Sequence, residues 1–303
     1  MVKAYILHAN EKYIDIVTTS CLSIRQYSNL PIYVYLINSS KKIDVDGVTT
    51  INWNVQLNSQ DNRYIQEGDN FYVNRSSTEI YNILIQKPLI TVHALKNFAD
   101  IIFYIDSDSI ATPYVENIFN YYNVNSPYPY FGEGIYEYLH YNGRGGAMDV
   151  NDLSTTLEHP VSELFKLNQY NRVSNLYRQT GYFIAGKNNI DFLEEWYWMC
   201  NHPTLLKNTG YYCPFHEETV LNPLLWDRKF YEGLPLIYVN GTLETIDEIY
   251  NNLKFTGKNR DIRPWLRIPA KKENLMFFHG EKRIEVMKQM ITKIKQLHLE
   301  GNL

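Results

Sequence analysis

Two carboxylates, Asp106 and Asp108, stand one residue apart around Ser107. Hard divalent cations take oxygen ligands, and one or two carboxylates plus substrate phosphates are the usual set for Mg²⁺-type sites. The pair follows Ile101-Ile-Phe-Tyr-Ile105, a continuous apolar run rich in β-branched and aromatic residues. Such a run reads as a strand buried on both faces, of the kind found at the centre of a parallel sheet. Ligands of open α/β sheets bind at the carboxyl ends of the strands. The spacing therefore points to a metal site that holds a diphosphate. Asp and Ser also cap and solvate ordinary turns, so the pair gains weight only from partners elsewhere in the chain.

The elements that must position this pair begin at the N-terminus. Residues 4–8 read as a short apolar strand. Asn10-Glu-Lys-Tyr13 follows, then a helical pattern to about residue 27 with Ile14, Val17, Cys21 and Ile24 on one face. Leu30-Pro31 ends it. Residues 32–37 read as a second buried strand and 48–53 as a weaker third. This β-α-β-β spacing argues for an α/β sheet with helices packed on it. Residues 54–78 are polar and read as a loop. Residues 79–98 read as helix capped by Ser77 or Thr78, with Pro88 kinking it or starting a second helix. Lys87, beside that proline, is either a solvated lysine or a cation aimed at a phosphate or sugar.

Beyond the central strand, residues 114–122 read as a short helix. Residues 125–149 combine Pro127, Pro129 and five glycines with interleaved tyrosines and Phe131. That mixture suits a mobile lid or a sugar-stacking surface, and equally a plain loop. Residues 161–176 read as helix, 180–186 as a strand bounded by glycines, and 191–200 as an amphipathic helix. Residues 214–222 open a further helix. Glu217 and Glu218 near its start are favoured there by the helix dipole alone. Residues 234–239 and 274–280 read as strands, the second running into His279.

Residues 281–299 form an amphipathic helix with Ile284, Met287, Met290, Ile291, Ile294 and Leu297 in one stripe. Lys282, Arg283, Lys288, Lys293 and Lys295 fill much of the rest. Such a helix can make peripheral contact with an anionic membrane. The preferred reading is that it packs on its own domain and solvates its basic face.

Composition bounds the class. The 303 residues are 45% hydrophobic and 20% charged, enough for one large core. A net charge of −4 without a basic block argues against a nucleic-acid partner. The 26 Tyr, 13 Phe and 5 Trp offer flat faces suited to half-wet binding surfaces, though compositional drift toward Tyr, Asn, Ile and Lys explains much of the excess. Three cysteines (Cys21, Cys200 and Cys213) without a Cys-x-x-Cys pair suggest reduced thiols. No signal-peptide run and no transmembrane-length apolar stretch stands out. The expectation is a soluble, cytoplasmic protein, read as a single domain over 1–303.

Several separated segments agree with one family. Asn10-Glu-Lys-Tyr13, Lys87-Pro88, Ile102-Phe-Tyr-Ile-Asp-Ser-Asp108, Gln179-Thr-Gly-Tyr-Phe183, Glu217-Glu-Thr-Val-Leu-Asn222 and Phe278-His-Gly-Glu-Lys282 fall in the right order. In these the chain resembles the GT-A-fold glycosyltransferases that use nucleotide sugars. The layout is closest to the group of glycogenin and the bacterial lipopolysaccharide galactosyltransferases. The resemblance implies an α/β GT-A fold with a Rossmann-like mixed central sheet flanked by helices. It implies a nucleotide-binding half (1–112), an acceptor-side half (113–280) and a C-terminal helix (281–303).

It also implies donor contacts from Ala9, Asn10, Tyr13, Lys87, Asp106, Ser107, Asp108, Gly280 and Lys282. Acceptor-side contacts would come from Thr180 and Gly181. The chain departs from the family where Asn-Ser-Gly, Asp-Gln and a longer terminal motif would stand.

On that resemblance the expected activity is metal-dependent transfer of a sugar from a nucleoside diphosphate sugar, UDP by resemblance, to a glycan or other hydroxyl acceptor. Asp106, Asp108 and His279 would hold Mn²⁺ or Mg²⁺, a mixed O/N set. Charge grows on the departing diphosphate, and a cation there lowers the barrier. An inverting reaction needs a base for the acceptor hydroxyl, for which Glu217 and Glu218 are the candidates; a retaining one does not. Two alternatives stay open. One is a phosphatase-like hydrolase with Asp106 as nucleophile. The other is a non-catalytic nucleotide-sugar-binding protein of the same fold.

Overall fold

Every residue of the apolar run Ile101–Ile105 is buried, and alternation along this strand divides the core in two. Ile102 and Tyr104 join a cluster with Ala4, Ile6 and Phe183. Ile101, Phe103 and Ile105 join another with Tyr5, Leu7 and Ile184. Successive strand side chains point to opposite faces, so a strand apolar on both faces needs cover on both.

The computed structural model describes residues 1–55, 66–67, 70–71, 82–133, 178–201, 216–230, 232–235, 237–240, 243, 246 and 271–301. In chain order the elements are β1 (Lys3–Asn10), α1 (Ile14–Arg25), β2 (Ile32–Ile37), β3 (Val48–Trp53) and the two-residue strands β4 (Gln66–Glu67) and β5 (Asn70–Phe71). Then come α2 (Gln86–Asn97), β6 (Ile101–Ile105), β7 (Ser109–Ala111), β8 (Tyr130–Glu133) and β9 (Arg178–Gly186). The chain continues through α3 (Ile190–Cys200), α4 (His216–Asp227), β10 (Tyr238–Asn240), β11 (Phe277–His279) and α5 (Ile284–Leu299).

The main sheet has the order β3-β2-β1-β6-β9-β8. Its first four strands are parallel. β9 runs antiparallel to both β6 and β8. The fold is thus mixed α/β with a six-stranded central sheet flanked by helices, compatible with a Rossmann-like arrangement. The parallel environment expected for residues 101–105 exists only on the β1 side. A second sheet, β10-β11-β7, pairs β7 antiparallel to β11.

One expectation needs correcting. Residues 130–133, read within a possible lid, form β8; Tyr130 and Phe131 are buried against β9, where Phe131 packs on Phe183 and Trp196. The short helix expected at 114–122 is present as a 3₁₀ helix, Val115–Asn120. Residues 109–111, directly after the acidic pair, form the short strand β7. The expected loop tip after 133, the helix at 161–176, the caps Ser77 and Thr78, and Cys213 lie outside the described residues. Cys21 is a buried free thiol, and Cys200 is buried as well.

Pro88 starts a helix rather than bending one. Residues 82–84 are helical, a turn follows at Ile85, and α2 begins at Gln86. This puts Pro88 in the first turn, where N–H groups have no partner within the helix. At the other end of the chain, Met287, Met290, Ile294 and Leu297 of α5 are buried in a cluster with Ile16, Ile110 and Phe278. The stripe is therefore spent on the domain, as the packing reading requires. No helix among the described residues is long and apolar enough to cross a membrane.

Candidate metal centre

The turn after β6 is pinned on three sides. The Asp106 amide donates to the Gly181 carbonyl at 2.8 Å. Ser107 Oγ donates to the His8 carbonyl. The Gly280 amide donates to the Asp108 carbonyl at 3.0 Å. Gly280 adopts φ +96°, a region closed to most side chains, as the chain leaves β11. The β7–β11 register sets His279 opposite Ser109, its partner 170 residues away in sequence.

This pairing brings Asp106, Asp108 and His279 together, each offering an atom within 4.8 Å of the others. His279 Nδ1 lies 3.4 Å from Asp108 Oδ1. Lys282 Nζ lies 3.8 Å from Asp108 Oδ2 and 5.6 Å from the centre of the Tyr13 ring. Two carboxylates and an imidazole converging at a strand end suit a cation that accepts both oxygen and nitrogen, as Mn²⁺ does. The donor set fits the expected group.

The inner wall is a buried polar network. Lys87 Nζ lies 3.2 Å from Asp106 Oδ1 and 2.8 Å from Glu217 Oε1. Thr180 Oγ1 donates to Glu217 Oε1 at 2.9 Å, and the Thr180 amide donates to Glu218 Oε2 at 3.0 Å. Tyr104 Oη donates to Asp106 Oδ1 at 2.7 Å and lies 2.9 Å from His8 Nδ1. Burial alone would depress the Lys87 pKa, but Asp106 and Glu217 outweigh it and hold the ammonium charged. Burial would raise Asp106, but the charges of Lys87 and His279 and the Tyr104 hydroxyl hold it below the ordinary carboxylate range. His8 is pulled down to about 4, first by burial and then by Lys87. Lys282 moves up because Asp108 outweighs its partial burial.

A cavity of about 370 Å³ opens over this floor, within the usual size range of small-molecule sites. Its walls are His8, Ala9, Asn10 and Tyr13 from the end of β1, then Ile83 and Leu84, the Asp106-Ser107-Asp108 turn, and Lys282. Asn10 Oδ1 is buried there and accepts no hydrogen bond among the described residues. Ala9, Asn10, Tyr13, Asp106, Ser107, Asp108 and Lys282 thus share one cavity, with His279 and Gly280 at its floor through Asp108.

Lys87, Thr180, Glu217 and Glu218 do not line it; they lie behind Asp106 on its Oδ1 side, while Gly181 flanks Oδ2. Lys87 is neither the solvated lysine nor a cation facing the cavity, because its charge is taken up by two carboxylates. Glu217 and Glu218 are 3% and 8% exposed and serve Lys87 and Thr180. Sequence reasoning missed Tyr104 and His8. The period of two along a strand, which gives Tyr104 and Asp106 the same face, was the available signal. Compared with known proteins, the chain matches no protein-family model and no curated protein.

Proposed function

We propose that this protein is a metal-dependent glycosyltransferase that moves a sugar from a nucleoside diphosphate sugar to a hydroxyl acceptor. The observation that carries the reading is the convergence of Asp106, Asp108 and His279 beside a cavity walled by the Asn10–Tyr13 segment. A divalent cation bound there would offset the charge that grows on a departing diphosphate. Asp106, Asp108 and His279 would hold it. Lys282, charged and stationed beside Asp108, would meet diphosphate oxygens from the open side. Tyr13 and Asn10 would orient the nucleoside. The strand order, with an antiparallel β9 beside the acidic strand, supports the GT-A reading of the sheet.

The hydrolase alternative has less support. It requires a second acidic pair, and the group found among the described residues is completed by an imidazole instead. Its nucleophile, Asp106, already accepts two hydrogen-bond donors at Oδ1. Against an inverting transferase, though not a retaining one, the binding-protein alternative is favoured by one observation: neither Glu217 nor Glu218 opens on the cavity as an acceptor base must.

The test is thermal stability with UDP, GDP and CMP, each with and without Mn²⁺, in wild type and Asp108→Ala. Ligand at ~100 times its dissociation constant stabilises by roughly 2.7 kcal/mol. The expected result is a Mn²⁺-dependent rise with one nucleoside diphosphate, lost in the variant. No rise with any nucleotide in a folded sample sinks the reading. Release of free sugar or transfer to an acceptor then separates enzyme from binding protein.

A further inference from the structure

Asp106 makes asymmetric use of its two oxygens. Both protein donors, Lys87 Nζ and Tyr104 Oη, meet Oδ1. Oδ2 lies instead beside Gly181, where a side chain's first carbon would stand 3.2 Å away. A carboxylate whose one oxygen is saturated presents the other as a single, directed ligand atom.

Tyr104 has one hydroxyl proton and Asp106, ionised, can only accept. With that proton on Oδ1, the tyrosine oxygen must accept from His8, whose Nδ1 is 2.9 Å away. This places the single ring proton of a neutral His8 on Nδ1, where Tyr104 draws it in competition with the Ile83 backbone, the ring's other hydrogen-bond partner. The tyrosine ring is itself immobilised. It stacks on Phe183 with centroids 4.9 Å apart, and the Lys87 ammonium sits 5.5 Å from its centre. His8, Tyr104, Phe183 and Lys87 are all buried, so nothing in this chain of contacts depends on a surface conformation. A wholly structural role would not need the hydroxyl: a phenylalanine would fill the same stack.

We infer that Tyr104, backed by the Nδ1–H of His8, is a positioning residue that fixes Asp106 with Oδ2 turned toward a divalent cation. This rests on the metal-dependent reading above and adds the two residues that orient its first carboxylate. Partners behind a metal-ligating group commonly govern affinity by about 10- to 100-fold.

The experiment is a Mn²⁺ titration of the full chain followed by electron paramagnetic resonance of the free aqua ion, for wild type, Tyr104→Phe, His8→Asn and His8→Ala. Tyr104→Phe should weaken Mn²⁺ binding by about 10- to 100-fold with circular dichroism unchanged. His8→Ala should also weaken it. His8→Asn, whose amide can donate from nearly the Nδ1 position, should restore most of it, which a packing role would not predict. Binding by Tyr104→Phe within about twofold of wild type overturns the inference while leaving the metal site intact; so does equal loss in both His8 variants, which decides the matter if Tyr104→Phe fails to fold. Absence of Mn²⁺ binding by wild type overturns the metal-dependent reading and this inference together.

Discussion

The Lys87 ammonium lies 2.8 Å from Glu217 Oε1, and both side chains are almost completely buried. Through its second contact, 3.2 Å to Asp106, this one cation joins α2, α4 and the end of β6. The acidic turn is thereby coupled to residues of a helix more than a hundred positions later. Removing one partner of a buried pair strands the other, whereas removing both together is far milder.

The Lys87–Glu217 link predicts that Lys87→Met is strongly destabilising, by about 3–5 kcal/mol. Urea unfolding of Lys87→Met, Glu217→Gln and the double variant would show it. The double variant should be more stable than the sum of the single losses implies. A Lys87→Met midpoint equal to wild type would show that the pair is not closed in solution.

His8 predicts a pH dependence. Its pKa is lowered from 6.5 to about 4 in the folded chain, chiefly by burial. Between those values the unfolded chain binds a proton that the folded one does not, so stability falls as pH drops from about 6.5 toward 4 and is fully present above that window. A shift of this size corresponds to roughly 3 kcal/mol at its full extent. Asp106, with a depressed pKa, acts lower: its contribution is present above the unfolded carboxylate value and is lost as pH falls beneath it. His8→Asn should therefore flatten the stability profile between pH 6.5 and 4 and leave the steeper acid limb. An unchanged profile would mean that His8 charges freely in the folded chain.

Gly181 predicts a steric requirement. A first side-chain carbon there would stand 3.1 Å from Gln179 Oε1 and 3.2 Å from Asp106 Oδ2. Gly181→Ala should cost about 1–3 kcal/mol through crowding and weaken Mn²⁺ binding, because the atom displaced is the ligand oxygen. Calorimetric titration with Mn²⁺ measures the second effect. Wild-type affinity in a folded Gly181→Ala would show that Oδ2 does not face the cation.

The terminal helix predicts a core contribution. Ile294 is fully buried between α5 and the β7–β11 sheet cluster. Ile294→Ala should cost about 2–5 kcal/mol, while Lys295→Gln on the exposed side should change stability by less than about 0.5 kcal/mol. Thermal or urea unfolding compares them. A small loss at Ile294 would indicate a loosely docked helix.

Most of the longer strands and helices follow from local pattern. Runs such as 32–37 and 101–105 are too short and too β-branched for anything but buried strands, and the 3.6-residue stripes of α1, α3 and α5 declare their buried faces. The sequence also marked the acidic pair, because the break from Ile105 to Asp106 is an abrupt change in what can be buried. The proline's lack of an N–H marked a kink or a helix start near Lys87-Pro88, and the turn at Ile85 made it a start.

What tertiary structure alone decided is who meets whom. Strand direction does not show in a single buried run, so the antiparallel partner of β6 was not legible. Three residues of β7 are too few to carry a period. Whether Lys87 faced water or a carboxylate depended on the docking of α4, and the same docking turned Glu217 inward. His279 reaches Asp108 only through the β7–β11 register, a pairing that links positions 109 and 279 and leaves no local trace. The positioning of Asp106 by Tyr104 and His8 likewise exists only once β1 and β6 lie side by side. Local pattern records what each segment must bury; contacts between distant segments are set by the joint packing of the whole chain.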